Sequence, residues 1–212
     1  MKLSEAVRGV SGTLAADGEF SCIAFATEQE QSQFLTFLEK EKFLPALDNS
    51  KISCVLTTSA LAEKIPPHIK GVFLCDRPKA ALFEIHNRLA RHPDYVGASA
   101  ATVVGEGCSI SPLAAIDREN VVIGDRVTIE PFVVIKGRVI IGNDVTIRSG
   151  AVIGCKGFSF SKDTQGQNVS VEDTARIIIE DHVEIFEQVA ISTGIFPWEE
   201  TRIGENTKVD AQ

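Results

Sequence analysis

VVIGDRVTIEPFVVIKGRVIIGNDVTIRSGAVIG, residues 121–154, places an isoleucine at every sixth position: Ile123, Ile129, Ile135, Ile141, Ile147 and Ile153. A second small or β-branched set follows four residues behind, at Val127, Val133, Val139, Val145 and Ala151. A helix of 3.6 residues per turn drifts out of phase with such a pattern within a few turns. A six-residue repeat instead describes a parallel β-helix, each hexapeptide supplying one short strand and a turn. Three hexapeptides close one triangular coil, so an 18-residue period should lie over the short one. VIGDRV and IIGNDV supply it, with Gly124 and Gly142 18 residues apart. We read these glycines as the positive-φ residues of tight corners.

The rule extends in both directions. Upstream it runs through Val104, Ile110 and Ile116, with a one-residue slip before Ile123. Downstream it resumes at Ile179, Ile185, Ile191, Ile203 and Val209, with Pro197 in the remaining slot. The interval from Ile153 to Ile179 does not fit a whole number of hexapeptides. It predicts an excursion from the wall at about residues 154–178, opening on GCKGFSF, with Phe158 and Phe160 held between glycines. Binding residues of rigid solenoids commonly sit on such departures.

Residues 1–97 follow other periods. CIAFAT (22–27), ISCVLT (52–57) and GVFLCD (71–76) are short apolar runs that predict strands. Phe34, Phe37, Leu38 and Leu44 are spaced for one helical face, as are Ala81, Leu82, Ile85 and Leu89, with Pro78 suited to a first turn. Alternating strands and helices predict a small α/β domain over 1–97. The β-helix domain then occupies 98–212.

A net charge of -8 opposes nucleic-acid binding, which needs a basic surface. Five cysteines without a Cys-x-x-Cys pair predict reduced, buried thiols and no zinc site. No signal-like leader and no run long enough to span a membrane is present in the sequence, which predicts a cytoplasmic location.

The combination resembles the UDP-3-O-acylglucosamine N-acyltransferases of lipid A synthesis. LTFLEKEKFLPAL (35–47) is similar to that family's uracil-binding Leu-Thr-Phe-Leu-x-Asn-Pro-Lys-Tyr segment, GFSF (157–160) to its Gly-Phe-Gly-Phe loop, and IGENTKVD (203–210) to the coil before its catalytic histidine. The resemblance implies a left-handed β-helix, a homotrimer with sites between subunits, and no cofactor. It implies transfer of a 3-hydroxyacyl chain from acyl carrier protein to the 2-amino group of a UDP-linked glucosamine. Carried over residue by residue, Phe37, Lys40, Phe43, Gly157, Phe158 and Phe160 fall at substrate-binding positions, and Asp210 at a supporting catalytic one. The family's Asn-Pro-Lys-Tyr is Lys40, Glu41, Lys42 and Phe43 here, which removes the amide that reads a uracil edge and offers Lys40 to a phosphate. The chain ends at Gln212, about one hexapeptide before the histidine, and a truncated form is expected.

Of the four histidines, His68 is expected in a solvated turn, and His86 and His92 on or just beyond a helix whose C-terminal dipole favours cations. His182 is expected at an outward-pointing turn, a poor position for a base. One histidine in the β-helix is too few for a zinc site. The pairs Glu39/Glu41 and Glu199/Glu200 read as solvated faces. Arg126, Lys136, Arg138, Arg148 and Lys156 are scattered surface charge or a landing site for an acidic carrier protein. Two alternatives stay open: an acetyl-CoA-dependent sugar acetyltransferase, and a non-catalytic scaffold that binds sugar nucleotides.

Overall fold

The structure, a computed structural model, describes residues 1–163 and 166–211. They form two compact units: Met1–Tyr95 with Ser159–Glu172, and Val96–Phe158 with Asp173–Gln212.

The first unit is built on a five-stranded sheet. Its strands are β1 (Thr13–Ala16), β2 (Cys22–Ile23), β3 (Phe34–Leu38), β4 (Ile52–Thr57) and β5 (Gly71–Leu74), in the order β1-β5-β4-β3-β2. β2 to β5 run parallel and β1 is antiparallel to β5. Helix α1 is the single turn Leu3–Ala6, and helix α2 spans Pro78–Leu89 with its proline in the first turn. α2 packs over β3 and β4, burying Ala81, Leu82, Ile85 and Leu89 as their spacing predicts.

The expected helix through Phe34, Phe37, Leu38 and Leu44 is corrected. β3 takes the first three, and Glu41–Asp48 forms a 3₁₀ helix. Phe34, Leu35, Thr36 and Leu38 are all buried, so this interior strand is apolar on both faces and its run carries no period of two. Pro45 inside the second segment removes an amide donor that an α-helix would use.

The excursion from the wall carries a hairpin of its own. Phe160–Lys162 and Asn168–Ser170 pair antiparallel as a hairpin, and Ser159–Glu172 belongs to the first unit. Asn87 of α2 holds it with both ends of its amide: Nδ2 donates to the Ser170 carbonyl at 2.9 Å, and Oδ1 accepts from the Glu172 amide at 2.9 Å. His86 is fully buried, one ring nitrogen 2.8 Å from the Glu172 carbonyl and the other 3.0 Å from the Tyr95 hydroxyl. His86 lies on the helix as expected, and its burial makes it a pin for the hairpin.

The second unit is a parallel β-helix with three walls. Ile123, Ile141, Ile179 and Ile203 stack in register on one wall. Ile110, Ile129, Ile147, Ile185 and Val209 stack on the second, and Ile116, Ile135, Ile153 and Ile191 on the third. These inward ladders form one core with the Val127–Ala151 set, and most of its members are fully buried. Outward positions differ by wall. The first presents Val103, Val122, Ile140 and Ile178, then Arg202, beside a charged row of Arg138, Arg176 and Glu200, and the third presents Ala115, Val134, Val152 and Ala190. The second presents Ser109, Thr128, Thr146, Glu184 and Lys208.

The corner glycines act for a different reason from the one expected. Gly124 and Gly142 are not at positive φ; a Cβ on Gly124 would lie 2.6 Å from the Gly142 carbonyl oxygen, and one on Gly142 2.2 Å from Asp181 Oδ1. They are glycine because the next coil passes too close for a side chain. Positive φ falls two residues later, in a column of Gly107, Arg126, Asp144, His182 and Asn206. Between the two columns, Asp125, Asn143 and Asp181 accept backbone amides of the preceding coil through their side chains. Those short acceptors clamp coil to coil and leave room for glycine alone beside them.

Pro197 does not occupy a wall slot. Ile191 on the third wall is followed on the first by Glu200–Ile203, which pairs with Arg176–Ile179, so residues 193–199 form a second departure at the same corner. Phe196, fully buried, plugs it and stacks on Trp198 at 5.9 Å. Glu199 Oε2 accepts from the amides of Ile195 and Phe196, and Glu200 binds Arg176 and Arg202. Glu200 is exposed, as expected of a solvated face, whereas Glu199 serves as a structural fastening.

Candidate functional site

Three positions singled out in the sequence line one cleft of the first unit. Phe37, at the end of β3, and Lys40 and Phe43, on the turn after it, surround a free volume of about 340 Å³. The cleft opens at the carboxyl ends of β2 and β3, the side of a parallel sheet where ligands bind. Phe25 and Ala26, just past β2, and Lys79, in the first turn of α2, complete its wall with Thr27. Phe25 meets Phe37 edge-to-face at 6.5 Å and Phe83 at 6.4 Å. Phe43 is 55% exposed and Phe25 38%, so large aromatic area stays open to a ligand. The Lys42 ammonium sits 4.8 Å over the Phe43 ring, and Lys79 lies 5.9 Å from the Phe83 centroid. Lys64 pairs with Glu41, which takes one carboxylate near the cleft out of play. What remains is a shallow aromatic pocket lined by the Lys40 and Lys79 ammonium groups and by one carboxylate, that of Glu39.

Phe25 and Lys79 were missed by sequence reasoning. The available signal was position: residues just beyond strand ends of a parallel sheet, and in the first turn of the helix that follows, face its ligand side.

The other singled-out residues lie elsewhere. Phe160 is on the hairpin of the first unit. Gly157 and Phe158 belong to the second unit, where the Gly157 amide donates to Asp173 Oδ2 at 2.7 Å and Phe158 is 96% exposed. Asp210 is exposed on the β-helix beside the strand Lys208–Val209, and accepts from the Ala211 amide at 2.8 Å.

His182 projects outward from its corner as expected, half-exposed and 4.0 Å from Asp144. Arg126 binds that same Asp144 through both carboxylate oxygens at 2.7 Å, a hydrogen bond that lowers the Asp144 pKa. His68 is half-buried, 3.3 Å from the Asn49 carbonyl, rather than freely solvated. Arg148 pairs with Glu184 and Glu130, and Arg138 donates to the Gly97 carbonyl. Three of the five clustered basic residues are thus engaged within the β-helix, which favours their reading as surface charge. The thiols are unpaired to one another; Cys54 and Cys75 are buried, and burial pushes Cys75 up to about 11. Among the described residues no cluster of three or more histidine, cysteine or carboxylate side chains is arranged for a metal, and no helix is long and apolar enough to cross a membrane.

Residues 120–155, the heart of the β-helix, match the family model for bacterial transferase hexapeptide, six repeats. Fold and match together define a hexapeptide-repeat scaffold of the transferase type. Within that class the chain resembles the UDP-3-O-acylglucosamine N-acyltransferases over nearly its whole length. The protein of that name from Coxiella burnetii (strain Dugway 5J108-111) is 28% identical over 233 aligned residues, covering 98% of this chain and 67% of its own. The one from Helicobacter hepaticus is 30% identical, covering 95% and 65%, and the one from Helicobacter pylori is 25% identical, covering 99% and 67%. The chain spans about two thirds of the length of these relatives.

Proposed function

We propose that the chain is an acyltransferase of lipid A or related envelope polysaccharide synthesis. It would move a 3-hydroxyacyl group from acyl carrier protein to the 2-amino group of a UDP-linked glucosamine in the cytoplasm. One observation carries the reading: a chain similar end to end to proteins named for a UDP sugar gathers Phe37, Lys40 and Phe43 into one aromatic, cationic cleft. The nucleotide lies there, with the ammonium groups toward its diphosphate. Gly157, Phe158 and Phe160 serve the sugar or the start of the acyl chain, and Asp210 supports the proton transfer that amine attack on a thioester requires.

The working form is a homotrimer of left-handed β-helices. Val103, Val122 and Ile140 are exposed on one wall and small apolar residues face out on another, while the remaining wall is polar. About a three-fold axis each prism meets its two neighbours with two of its walls, which fits two walls that carry apolar outward ladders, one of them edged by the paired charges of Arg176, Glu200 and Arg202. Sedimentation equilibrium should give three times the chain mass, and an Ile140→Glu substitution should dissociate it.

The activity test supplies UDP-3-O-acylglucosamine with each donor in turn. Transfer from 3-hydroxyacyl carrier protein and none from acetyl-CoA supports the proposal. Turnover with acetyl-CoA alone would make the chain a sugar acetyltransferase. The scaffold reading is favoured by one observation: His182, which lies on the β-helix, projects outward beside Asp144, and His86 is buried in the first unit. Sugar-nucleotide binding without transfer from either donor would establish it.

A further inference from the structure

Among the described residues other than glycine, left-handed backbone falls on asparagine, aspartate, glutamine, histidine and arginine, with one exception, Phe132 at φ +64. Phe132 turns the corner between the strand Thr128–Ile129 of the second wall and Val134–Ile135 of the third. A Cβ disfavours that backbone, and phenylalanine has no polar group to offset the cost through a local hydrogen bond. The ring gains little from its own chain in return, being 65% exposed. Leu113 stands on the same corner one coil earlier, 58% exposed, and its carbonyl accepts from the Phe132 amide at 3.3 Å. The coils that follow put Gly150 and Gln188 there, so the apolar knob is confined to two coils.

We propose that Phe132 and Leu113 anchor a contact with a second copy of this chain, where the third wall meets its neighbour. The proposal rests on the trimer reading given above and names the side chains on which that contact depends. Continuity supports it: Ala115 and Val134, which begin the outward apolar row of the third wall, follow Leu113 and Phe132 by two residues each. The knob therefore carries that apolar face out to its edge. Charge selects the kind of partner. Arg148, the cation of this corner, is committed to Glu130 and Glu184, and Glu187 stands exposed beside Gln188. An acidic partner finds no complement there, whereas an apolar face of the same chain needs none. Aromatic rings are enriched at the centres of such contacts, and burial against a neighbour offsets a backbone cost that the single chain bears alone.

The test is sedimentation of the full chain over a dilution series. Phe132→Asn and Leu113→Ser should each raise the concentration of half-dissociation by about tenfold or more. Leu14→Ser, at a 37% exposed position on β1, should leave it within about twofold. At a dilution where wild type and Phe132→Asn are both single chains, the urea midpoint of the variant should equal or exceed that of wild type, because asparagine accepts left-handed backbone. A lower midpoint would show that the ring supports the fold rather than a contact, and would overturn the proposal. Equal weakening by Leu14→Ser would overturn it as well, since any exposed apolar side chain would then suffice. Unchanged association of Phe132→Asn, with Ile140→Glu dissociated, would remove the anchor and leave the trimer in place. Wild type sedimenting as a single chain at every concentration would remove the trimer reading and the proposal with it.

Discussion

Asn87→Ala tests how the excursion hairpin is held. The substitution removes two side-chain-to-backbone hydrogen bonds of 2.9 Å, one to the Ser170 carbonyl and one from the Glu172 amide. Each such bond contributes about 0.5–1.5 kcal/mol, so undocking of the hairpin becomes easier by about 1–3 kcal/mol. In population terms that is roughly one to two orders of magnitude. His86 still contacts the Glu172 carbonyl, and the ladders of the β-helix core are untouched, so the change should stay local. Hydrogen exchange read by mass spectrometry should speed up by that factor in peptides covering 159–172 and stay constant in 121–153. Cleavage by a low concentration of protease should rise within the hairpin to match. Exchange in the hairpin unchanged within about twofold would refute the docking role, and equal acceleration in both segments would mean that the hairpin does not open as a separate unit.

Other substitutions separate the packing arguments. Gly142→Ala places a methyl 2.2 Å from Asp181 Oδ1 and should cost about 1–3 kcal/mol, whereas Gly137→Ala, at φ +75 with nothing within 4 Å, should cost about 1 kcal/mol from backbone strain alone. Denaturant midpoints showing the reverse order would contradict the close-approach account. The Thr36 hydroxyl is buried with no hydrogen-bond partner among the described residues, so Thr36→Val should stabilise by about 1 kcal/mol and raise the melting temperature by about 2–4 °C. Hydrogen bonding lowers Asp144, Asp181, Glu180 and Glu200 below their ordinary values of 3.8 and 4.5. Their contribution is complete above about pH 5 and fades as acid protonates them in the folded state, so the melting temperature should be flat from pH 7 to 5 and fall below that; a rise on acidification would refute it. Burial raises Cys75 from 9.0 to about 11, so its contribution is present below pH 9 and fades as pH climbs toward 11, and alkylation of this thiol at pH 8 should be far slower than in urea.

The parts of the fold that were legible depend on residues repeating a local rule. The isoleucine ladders could be read because each coil imposes the same inward position every sixth residue, and the register of Ile123, Ile141 and Ile179 follows from it. Where a long-range contact overrides the local rule, the reading failed. Pro197 fell in phase by coincidence, while the wall position went to Ile203 and the corner was filled by Phe196. The glycine columns were found for the wrong reason, because the oxygen that excludes a Cβ at Gly142 belongs to Asp181, one coil away in space and 39 positions on in the chain. β3 read as helix because an interior strand covered on both faces loses its alternation.

The same division explains the site. Phe37, Lys40 and Phe43 lie within seven consecutive residues, so their convergence needed only a strand and a turn to bring it about. Phe25 and Lys79 reach the cleft from other elements, and only the parallel order of β2 and β3, with α2 packed over the sheet, puts them there. His86 and Asn87 meet a hairpin more than 80 positions away, through backbone groups that carry no side-chain signal. A local motif can thus specify the floor of this pocket, but its far wall is a property of the sheet. Substitutions at Phe25 or Lys79 should therefore alter binding as much as those within the motif that first drew notice.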